Sequence, residues 1–165
     1  MTSLNLESDA MGISIEEYAP EMFDEIYTKY LDDGDKILNR EDWRRLYTYS
    51  HDENLRSGGY VLLHQGKIVG SLGMLFSRRM QNGRPQHFCN LFNWYVDEGF
   101  RGQSLALMRP VIRAQNLTLT DFTPTTKVCA ISERLGFQRL DSSLRVLLPI
   151  GNRDRSAETV SAEIT

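Results

Sequence analysis

Residues 94–106 read WYVDEGFRGQSLA, and this stretch decides which fold the sequence predicts. Its first part continues a run of strand-forming residues, and the part after Arg101 has helical spacing. A strand that stops at Val96 and a helix that starts near Gly102 leave backbone N–H groups without an intrahelical partner, which favours anion binding. Gly102 allows a ligand to approach the backbone, and Arg101 adds positive charge beside the positive end of the helix dipole. The stretch therefore indicates either an ordinary strand-to-helix turn or a turn built around a phosphate group.

Upstream of this stretch, the residue pattern predicts one strand, two helices and three antiparallel strands. Pro20 is suited to the first turn of a helix, and Asn39 offers an N-cap side chain for a second one. Gln65–Lys67 and Asn82–Gly83 read as turns, since Asn and Gly both tolerate positive φ. The predicted strands are 11–15, 60–63, 68–76 and 86–96.

Downstream, the pattern alternates between helix and strand. A helix follows Gly102, and Pro110 should kink or shorten it. A strand at 117–122, a helix capped by Thr123 and stopped by Gly136, and a final strand at 137–149 complete the order. The unit from 90 to 122 needs a parallel crossover whereas the hairpins need antiparallel pairing, so we predict an α/β fold with a mixed sheet.

Length and composition fit one globular domain. The chain has 165 residues, of which 41% are hydrophobic and 25% charged. We expect a flexible N-terminus at 1–10, a single domain at 11–149 and a disordered tail at 150–165.

Charge and residue usage exclude several function classes. The formal net charge of -3 provides no basic field for nucleic acid or an anionic membrane. The N-terminus does not resemble a secretion signal, and no apolar run approaches the roughly 20 residues that span a bilayer. Cys89 and Cys129 lack the spacing of a metal site or a disulfide framework. We expect a cytoplasmic protein that binds neither nucleic acid, membrane nor metal, and we leave a homodimer open.

Two motifs resemble those of a known family. Residues 96–106, VDEGFRGQSLA, resemble the acyl-CoA binding signature of the GNAT superfamily of N-acyltransferases, in which a Val at a strand end and an acidic turn precede Arg/Gln-x-x-Gly-x-Gly/Ala. Residues 132–137, SERLGF, resemble the family's Tyr-Glu-Lys-Leu-Gly-Phe ending. The resemblance covers about 59–142 by motif and extends back to about residue 11 by element order.

This resemblance implies a fold and a cofactor site. The family fold would be a mixed central sheet of about six strands with about four helices, in which strands 86–96 and 117–122 are parallel and splay apart. Acetyl-CoA or another acyl-CoA would lie between them, with its pyrophosphate on the N–H groups of residues 103–106 and its pantetheine arm along the free backbone edge. The residues implied in cofactor binding are Tyr95, Val96, Arg101, Gly102, Gln103, Ser104, Leu105, Ala106 and Thr125.

The implied reaction is direct attack of a neutral amine on the acyl carbon, with backbone N–H groups near Tyr95 polarising the thioester carbonyl. Ser132 stands where many members have a Tyr that protonates the leaving thiolate, and His87 is a titratable candidate from the first splayed strand. We therefore take Ser132, Tyr95 and His87 as candidate catalytic residues. His87 also fits an exposed strand end, and Asp121 fits either a base or a turn cap.

The sequence departs from the family pattern at several positions. Ser104 replaces the first Gly of the signature, Thr125 replaces a common Asn, and Asn90 and Asn93 occupy a strand where some members carry a Glu base. Strict alternation leaves two faces open as the lining of an acceptor cleft, one with Cys89, Leu91, Asn93 and Tyr95 and the other with Asn90, Phe92 and Trp94.

The favoured function is acetyl transfer from acetyl-CoA to a small-molecule primary amine. One alternative is a catalytically degenerate domain of this fold that binds CoA or serves as a scaffold. Another is an acyltransferase that uses a longer acyl chain or a carrier-protein donor.

Overall fold

The structure is a computed structural model. It describes residues 12–32, 37–49, 58–114, 116–140, 144–146 and 160–162. The chain divides into two units, residues 1–123 and 124–165, which are described separately. Within the described ranges, no helix is both long and apolar enough to cross a membrane.

The first unit is built on a five-stranded mixed sheet in the order β1-β2-β3-β4-β5. Neighbouring strands are antiparallel from β1 to β4, whereas β4 and β5 are parallel, as the crossover predicted. The strands are β1 (Ile13–Glu17), β2 (Gly58–His64), β3 (Lys67–Gln81), β4 (Arg84–Val96) and β5 (Leu117–Thr120). Within the residues that the structure describes, the expected count of about six strands in one sheet is corrected to five, and β5 ends before the predicted residue 122.

Three helical segments precede β2 or follow β4 in this unit. α1 (Phe23–Ile26) follows a 3-10 turn at Pro20–Met22 and continues as a π-helical turn at Tyr27–Leu31. α2 (Arg40–Thr48) begins after the predicted cap: the Asn39 side chain accepts the N–H groups of Glu41 and Asp42.

The helix after β4 differs from its prediction. A 3-10 helix runs over Glu98–Met108, and only Arg109–Ile112 is α-helical (α3). The predicted start near Gly102 is therefore wrong, because the acidic turn is already helical. The predicted shortening at Pro110 is confirmed, since Pro110 lies in the first turn of a one-turn α-helix.

The hairpin turns agree with the sequence. Asn82 and Gly83 have φ of 51° and 74°, and Gln65 and Gly66 have φ of 51° and 76°. These are the paired positive values that tight hairpin turns require.

The core of the first unit lies between the helices α1 and α2 and one face of the sheet. Its fully buried members include Phe23, Ile26 and Val61, and its aromatic members include Tyr47 and Phe92, whose ring centroids lie 5.0 Å apart. This aromatic layer fixes α2 against β3 and β4, where the candidate site is found.

The second unit contains α4 (Thr126–Arg134) and a two-stranded antiparallel sheet of β6 (Leu144–Val146) and β7 (Val160–Ala162). The α4 cap is Thr125, whose side chain accepts the Val128 N–H, so the predicted cap at Thr123 is wrong. Gly136 stops the helix with φ of 92°, as predicted.

The ends of the chain differ in part from expectation. Within the predicted strand at 137–149, the structure has a strand only at β6, and 141–143 and 147–149 lie outside the described residues. β7 lies in the tail for which composition favoured disorder. The predicted flexible segment at 1–10 lies outside the described residues, and the single domain at 11–149 stays a prediction.

Candidate active site

β4 has different neighbours along its two halves. Its ladder with β5 covers only four rungs, from His87↔Leu117 to Asn90↔Thr120. On the other side, β4 stays paired with β3 as far as Val96. Among the described residues, the β5-facing edge of residues 91–96 therefore has no strand partner. A ligand with amide groups could complete this edge by backbone hydrogen bonds.

A β-bulge interrupts β4 within this open half. Ser71 pairs with Tyr95 and Gly73 with Phe92, so one residue of β3 faces two residues of β4, Asn93 and Trp94. Asn93 has φ of 47°, in the left-handed region that Asn tolerates better than most residues. The bulge changes which side chains share a face and redirects the backbone at the open edge.

A cluster of three polar side chains holds the bulge on the α2 side. Asn93 Nδ2 donates to Tyr47 Oη at 2.7 Å and to Ser71 Oγ at 3.0 Å, and Ser71 Oγ lies 3.5 Å from the Asn93 carbonyl. Tyr47 is 1% exposed and Ser71 fully buried. Burial raises the pKa of Tyr47 to about 12, although hydrogen bonds with Asn93 and Ser71 oppose that shift. We call Tyr47, Ser71 and Asn93 the bulge cluster.

The next residue, Trp94, is fixed by a different element. Its indole Nε1 donates to the Ser104 carbonyl at 3.2 Å, which joins the bulge to the 3-10 helix. Ser104 thus contributes its carbonyl to the scaffold, a role that the sequence did not suggest.

The bulge breaks the alternation on which the two predicted strand faces depend. Phe92 contacts the Tyr47 ring, Asn93 bonds to Tyr47, and the Tyr95 ring centroid lies 4.7 Å from that of Tyr30. These three residues therefore meet the helical segments α1 and α2 and their π-helical continuation. They come from both alternating sets, since Phe92 belongs to one and Asn93 and Tyr95 to the other, and the lining of an acceptor cleft stays a prediction.

An ion pair lies directly after the end of β4, at Asp97. Lys29 Nζ lies 2.6 Å from Asp97 Oδ2 and also donates to the Ile68 carbonyl, while Tyr30 Oη donates to Asp97 Oδ1 at 3.0 Å. Burial raises the pKa of Tyr30, and the hydrogen bond to Asp97 and its charge act in the same direction. Neither Lys29 nor Tyr30 was a predicted site residue, because their partners Ile68 and Asp97 lie far away in the sequence.

The segment predicted to bind pyrophosphate lies in the 3-10 helix. Arg101 is exposed and has its guanidinium 3.5 Å from Glu98 Oε1. Gly102 borders open space, since a Cβ built there would meet nothing within 4 Å. Residues 103–106 lie past the first turn of that helix rather than at its N-terminus, and Leu105 is half exposed whereas Ala106 is buried.

The structure separates His87 from Tyr95. His87 forms the first rung of the β4–β5 ladder, roughly 25 Å along the strand from Tyr95 at the usual rise per residue. It lines a cavity of about 260 Å³ with Tyr60, Phe76 and Val111. His87 and Tyr95 therefore do not belong to one site.

Asp121 directly follows β5, beyond the last rung of the ladder. Its Oδ1 accepts the Thr123 N–H at 3.2 Å, so it caps a turn. Burial raises the pKa of Asp121, and this hydrogen bond partly opposes the shift. The cap predicted for the Thr123–Pro124 turn is confirmed.

Ser132 and Thr125 belong to the second unit. Ser132 is 9% exposed, and its carbonyl accepts the N–H groups of Leu135 and Phe137 at the end of α4. The catalytic and cofactor roles inferred for Ser132 and Thr125 stay predictions.

Comparison with known proteins identifies the family. Residues 20–114, more than half of the chain, match the family described as Acetyltransferase (GNAT) family. The chain belongs to this GNAT family. The matched residues contain α1, α2, the open half of β4 and the 3-10 helix. No protein with a curated functional description matches the sequence.

Solved structures agree with this assignment at the level of fold. An acetyltransferase from Trypanosoma brucei is 18% identical, with a TM-score of 0.58, covering 82% of this chain and 99% of that chain. A protein from Clostridium acetobutylicum, described as a predicted acetyltransferase with acetyl-CoA, is 14% identical, with a TM-score of 0.62 and coverage of 81% and 95%. An aminoglycoside acetyltransferase from an uncultured soil sample is 17% identical, with a TM-score of 0.57 and coverage of 86% and 100%. These acetyltransferase structures share the fold, which by itself does not fix the substrate.

The described part of the chain holds no group of three or more His, Cys, Asp or Glu side chains arranged to bind a metal ion. Cys89 is buried and Cys129 half-buried, and both are free thiols.

Proposed function

We propose that this chain is an N-acetyltransferase that transfers an acetyl group from acetyl-CoA to the primary amine of a small molecule. The observation that carries the proposal is the open, bulged half of β4, residues 91–96, in a chain of the GNAT family. Acetyl-CoA supplies an activated thioester, and the protein supplies a place to bind and orient it.

The residues of the open half suit the pantetheine arm of the cofactor. That arm carries two amide groups, and the backbone of residues 91–96 offers an edge without a strand partner among the described residues. Val96 is buried and Tyr95 is half exposed. The open half is therefore shielded from solvent at Val96 and accessible to it at Tyr95. Backbone groups here would bind the arm in an extended conformation.

The residues near Arg101 suit the phosphates only in part. The exposed guanidinium and the open space over Gly102 favour an approaching anion. The N–H groups of residues 103–106, however, lie inside the 3-10 helix, where carbonyl groups of the preceding turn compete for them. We therefore assign the phosphates chiefly to Arg101 and to the surface over Gly102.

The chemistry asked of the protein is modest. A neutral amine nitrogen forms a bond to the acyl carbon, the carbon–sulfur bond breaks, the nitrogen loses one proton and the sulfur gains one. Backbone N–H groups at the open edge near Tyr95 would stabilise negative charge on the carbonyl oxygen. Water can accept the proton, so an amine that arrives neutral needs no strong base from the chain.

The direct test is calorimetric titration of the purified chain with acetyl-CoA and with CoA, followed by an amine panel assayed for release of the CoA thiol. We expect saturable binding and thiol release that depends on an amine. Gly102→Asp should weaken acetyl-CoA binding at least tenfold, because it places a carboxylate where the phosphates approach. The fold should survive, since open space surrounds the new Cβ.

Two controls separate charge from shape. Gly102→Ala adds only a methyl group and should change affinity less than Gly102→Asp. Gln81→Glu adds the same charge on an exposed side chain at the distant end of β3 and should leave affinity unchanged. Normal acetyl-CoA binding by Gly102→Asp would contradict the proposed phosphate site. Binding without transfer to any amine would favour the scaffold alternative, and preference for longer acyl groups would favour the longer-chain donor.

A further inference from the structure

We infer that Tyr47, Ser71 and Asn93 are positioning residues that set the backbone of the open half of β4 for the acyl group. The inference rests on the proposed function and names how this chain builds that site. The three side chains would touch neither substrate. They would act through the peptide groups of Asn93–Val96, which follow directly from the bulge.

The backbone of Asn93 has a conformation that is unusual for a strand. Asn93 is the one residue other than Gly with positive φ inside a strand of the described chain, and such a conformation persists only where surrounding contacts stabilise it. The side-chain amide of Asn93 supplies those contacts from two elements, Tyr47 on α2 and Ser71 on β3. The bulge is therefore fixed from outside the strand that contains it.

The two hydroxyl-bearing residues of the bulge cluster are shielded from solvent. Tyr47 and Ser71 are almost completely buried, and a buried hydroxyl without a hydrogen bond is unfavourable. Both hydroxyls bond to the bulge residue: Tyr47 Oη accepts from Asn93 Nδ2, and Ser71 Oγ accepts from the same nitrogen and lies 3.5 Å from the Asn93 carbonyl. A regular strand at Asn93 would break these buried hydrogen bonds. The cluster thus favours the bulged backbone over a regular one.

A second tyrosine, Tyr18, packs beside Tyr47 without bonding to the bulge. Tyr18, whose ring centroid lies 4.9 Å from that of Tyr47, has a buried hydroxyl with no hydrogen-bond partner among the described residues. Two tyrosines of the same aromatic layer therefore differ in one respect: only the hydroxyl of Tyr47 bonds to the bulge. This difference provides a matched control.

The chemical consequence lies at the open edge. After the bulge, the peptide groups of β4 run to Val96, at the end where β5 no longer pairs. Stabilisation of a developing oxyanion requires donors held in place before the reaction. If the bulge relaxed to a regular strand, the register of the residues after it would shift by one position. Their N–H groups would then face the opposite side of the strand, and the donors would be misplaced.

The experiment compares the wild-type chain with Tyr47→Phe, Asn93→Gly, Asn93→Ala and the control Tyr18→Phe. Three readouts are measured: backbone amide exchange of the ligand-free chain, the calorimetric Kd for acetyl-CoA, and the infrared carbonyl stretch of bound acetyl-CoA labelled at the thioester carbonyl. Tyr47→Phe removes only a hydroxyl, so the fold should persist.

We expect Tyr47→Phe to speed amide exchange at residues 93–96 at least fivefold and to shift the carbonyl stretch towards its value in water. Its Kd for acetyl-CoA should change less than threefold, because most of the cofactor binds elsewhere. Tyr18→Phe should match the wild type in all three readouts. Asn93→Gly, which adopts positive φ easily, should fall between the wild type and Asn93→Ala.

The outcomes separate this inference from the proposed function. Wild-type carbonyl stretch and amide exchange in both Tyr47→Phe and Asn93→Gly would overturn the positioning role while leaving acetyl-CoA binding intact. Equal effects of Tyr47→Phe and Tyr18→Phe would also overturn it, since they would indicate general loosening of the aromatic layer. Failure of the wild-type chain to bind acetyl-CoA would overturn the proposed function, and this inference with it.

Discussion

The two halves of β4 differ more in their neighbours than in their residues. From His87 to Asn90 the strand lies between β3 and β5, and its side chains alternate regularly. From Leu91 to Val96 it retains β3 alone, and a bulge at Asn93 breaks the alternation. The closed half pairs with strands on both sides, whereas the open half keeps one backbone edge without a strand partner among the described residues. In the proposed function, one strand is therefore both scaffold and binding edge, and the parallel partner β5 ends where the binding edge begins.

Thiol accessibility should show the largest difference between the halves. Cys89 in the closed half is fully buried, whereas Tyr95 in the open half is 50% exposed. In a Cys129→Ala background, Cys89 should react with a thiol reagent only through unfolding. Tyr95→Cys, with Cys89→Ala and Cys129→Ala, should react at least about a hundredfold faster. Comparable rates, measured by mass spectrometry under native conditions, would contradict the closed half.

Cys89 should also make stability depend on pH. Burial raises the pKa of its thiol from 9.0 to about 12, so the folded chain holds the proton where the unfolded chain releases it. The contribution of the protonated Cys89 thiol to the free energy of unfolding is complete below pH 9 and is lost as pH rises towards 12. Chemical unfolding of Cys89→Ala and wild type across this range should show a stability difference that shrinks with rising pH, and a constant difference would refute the shift.

Gly73 tests the packing of the open half. A Cβ at Gly73 would lie 2.5 Å from Cζ of Phe92, the residue before the bulge. Gly73→Ala should therefore lower the free energy of unfolding by about 1–3 kcal/mol. Gly99→Ala is the control, because its new Cβ meets nothing within 4 Å, and it should change stability by no more than about 0.5 kcal/mol. If urea unfolding gave the same loss of free energy for Gly73→Ala and Gly99→Ala, the Phe92 ring would move aside at little cost and the packing would not be tight.

The last rung of the closed half should give the smallest effect. Thr120 Oγ1 lies 3.3 Å from Asn90 Oδ1 and 3.5 Å from the Cys89 carbonyl. Thr120→Val should lower the free energy of unfolding by about 1 kcal/mol. Thr118 is an exposed neighbour on β5, so Thr118→Val is the control and should leave the free energy of unfolding almost unchanged. If Thr118→Val and Thr120→Val had the same effect, the hydrogen bond of the Thr120 side chain would contribute nothing specific.

Local residue chemistry predicted much of this fold. The Asn39 cap, the Asn82–Gly83 turn and the stop at Gly136 each depend on residues close in sequence, and all are confirmed. The parallel crossover followed from element order. The 3-10 helix from Glu98 was missed because its start depends on how the acidic turn meets the end of β4.

The bulge was missed for a similar reason. Asn93 lies between aromatic strand residues, and Asn is uncommon in strands and tolerant of positive φ, which is the signal that the sequence offered. Its partners are Tyr47, which is 46 residues away, and Ser71, which is 22 residues away. Contacts at such separation set the conformation of β4, and alternation along one strand does not contain that information.

The proposed function requires the open half of β4 to be a binding edge for the acyl donor. Amide hydrogen exchange of the whole chain, with and without saturating acetyl-CoA, tests it most directly. We predict that exchange slows within residues 91–96 while residues 87–90 exchange as before, because β5 already protects that half. Saturable acetyl-CoA binding that leaves residues 91–96 unchanged would contradict the claim.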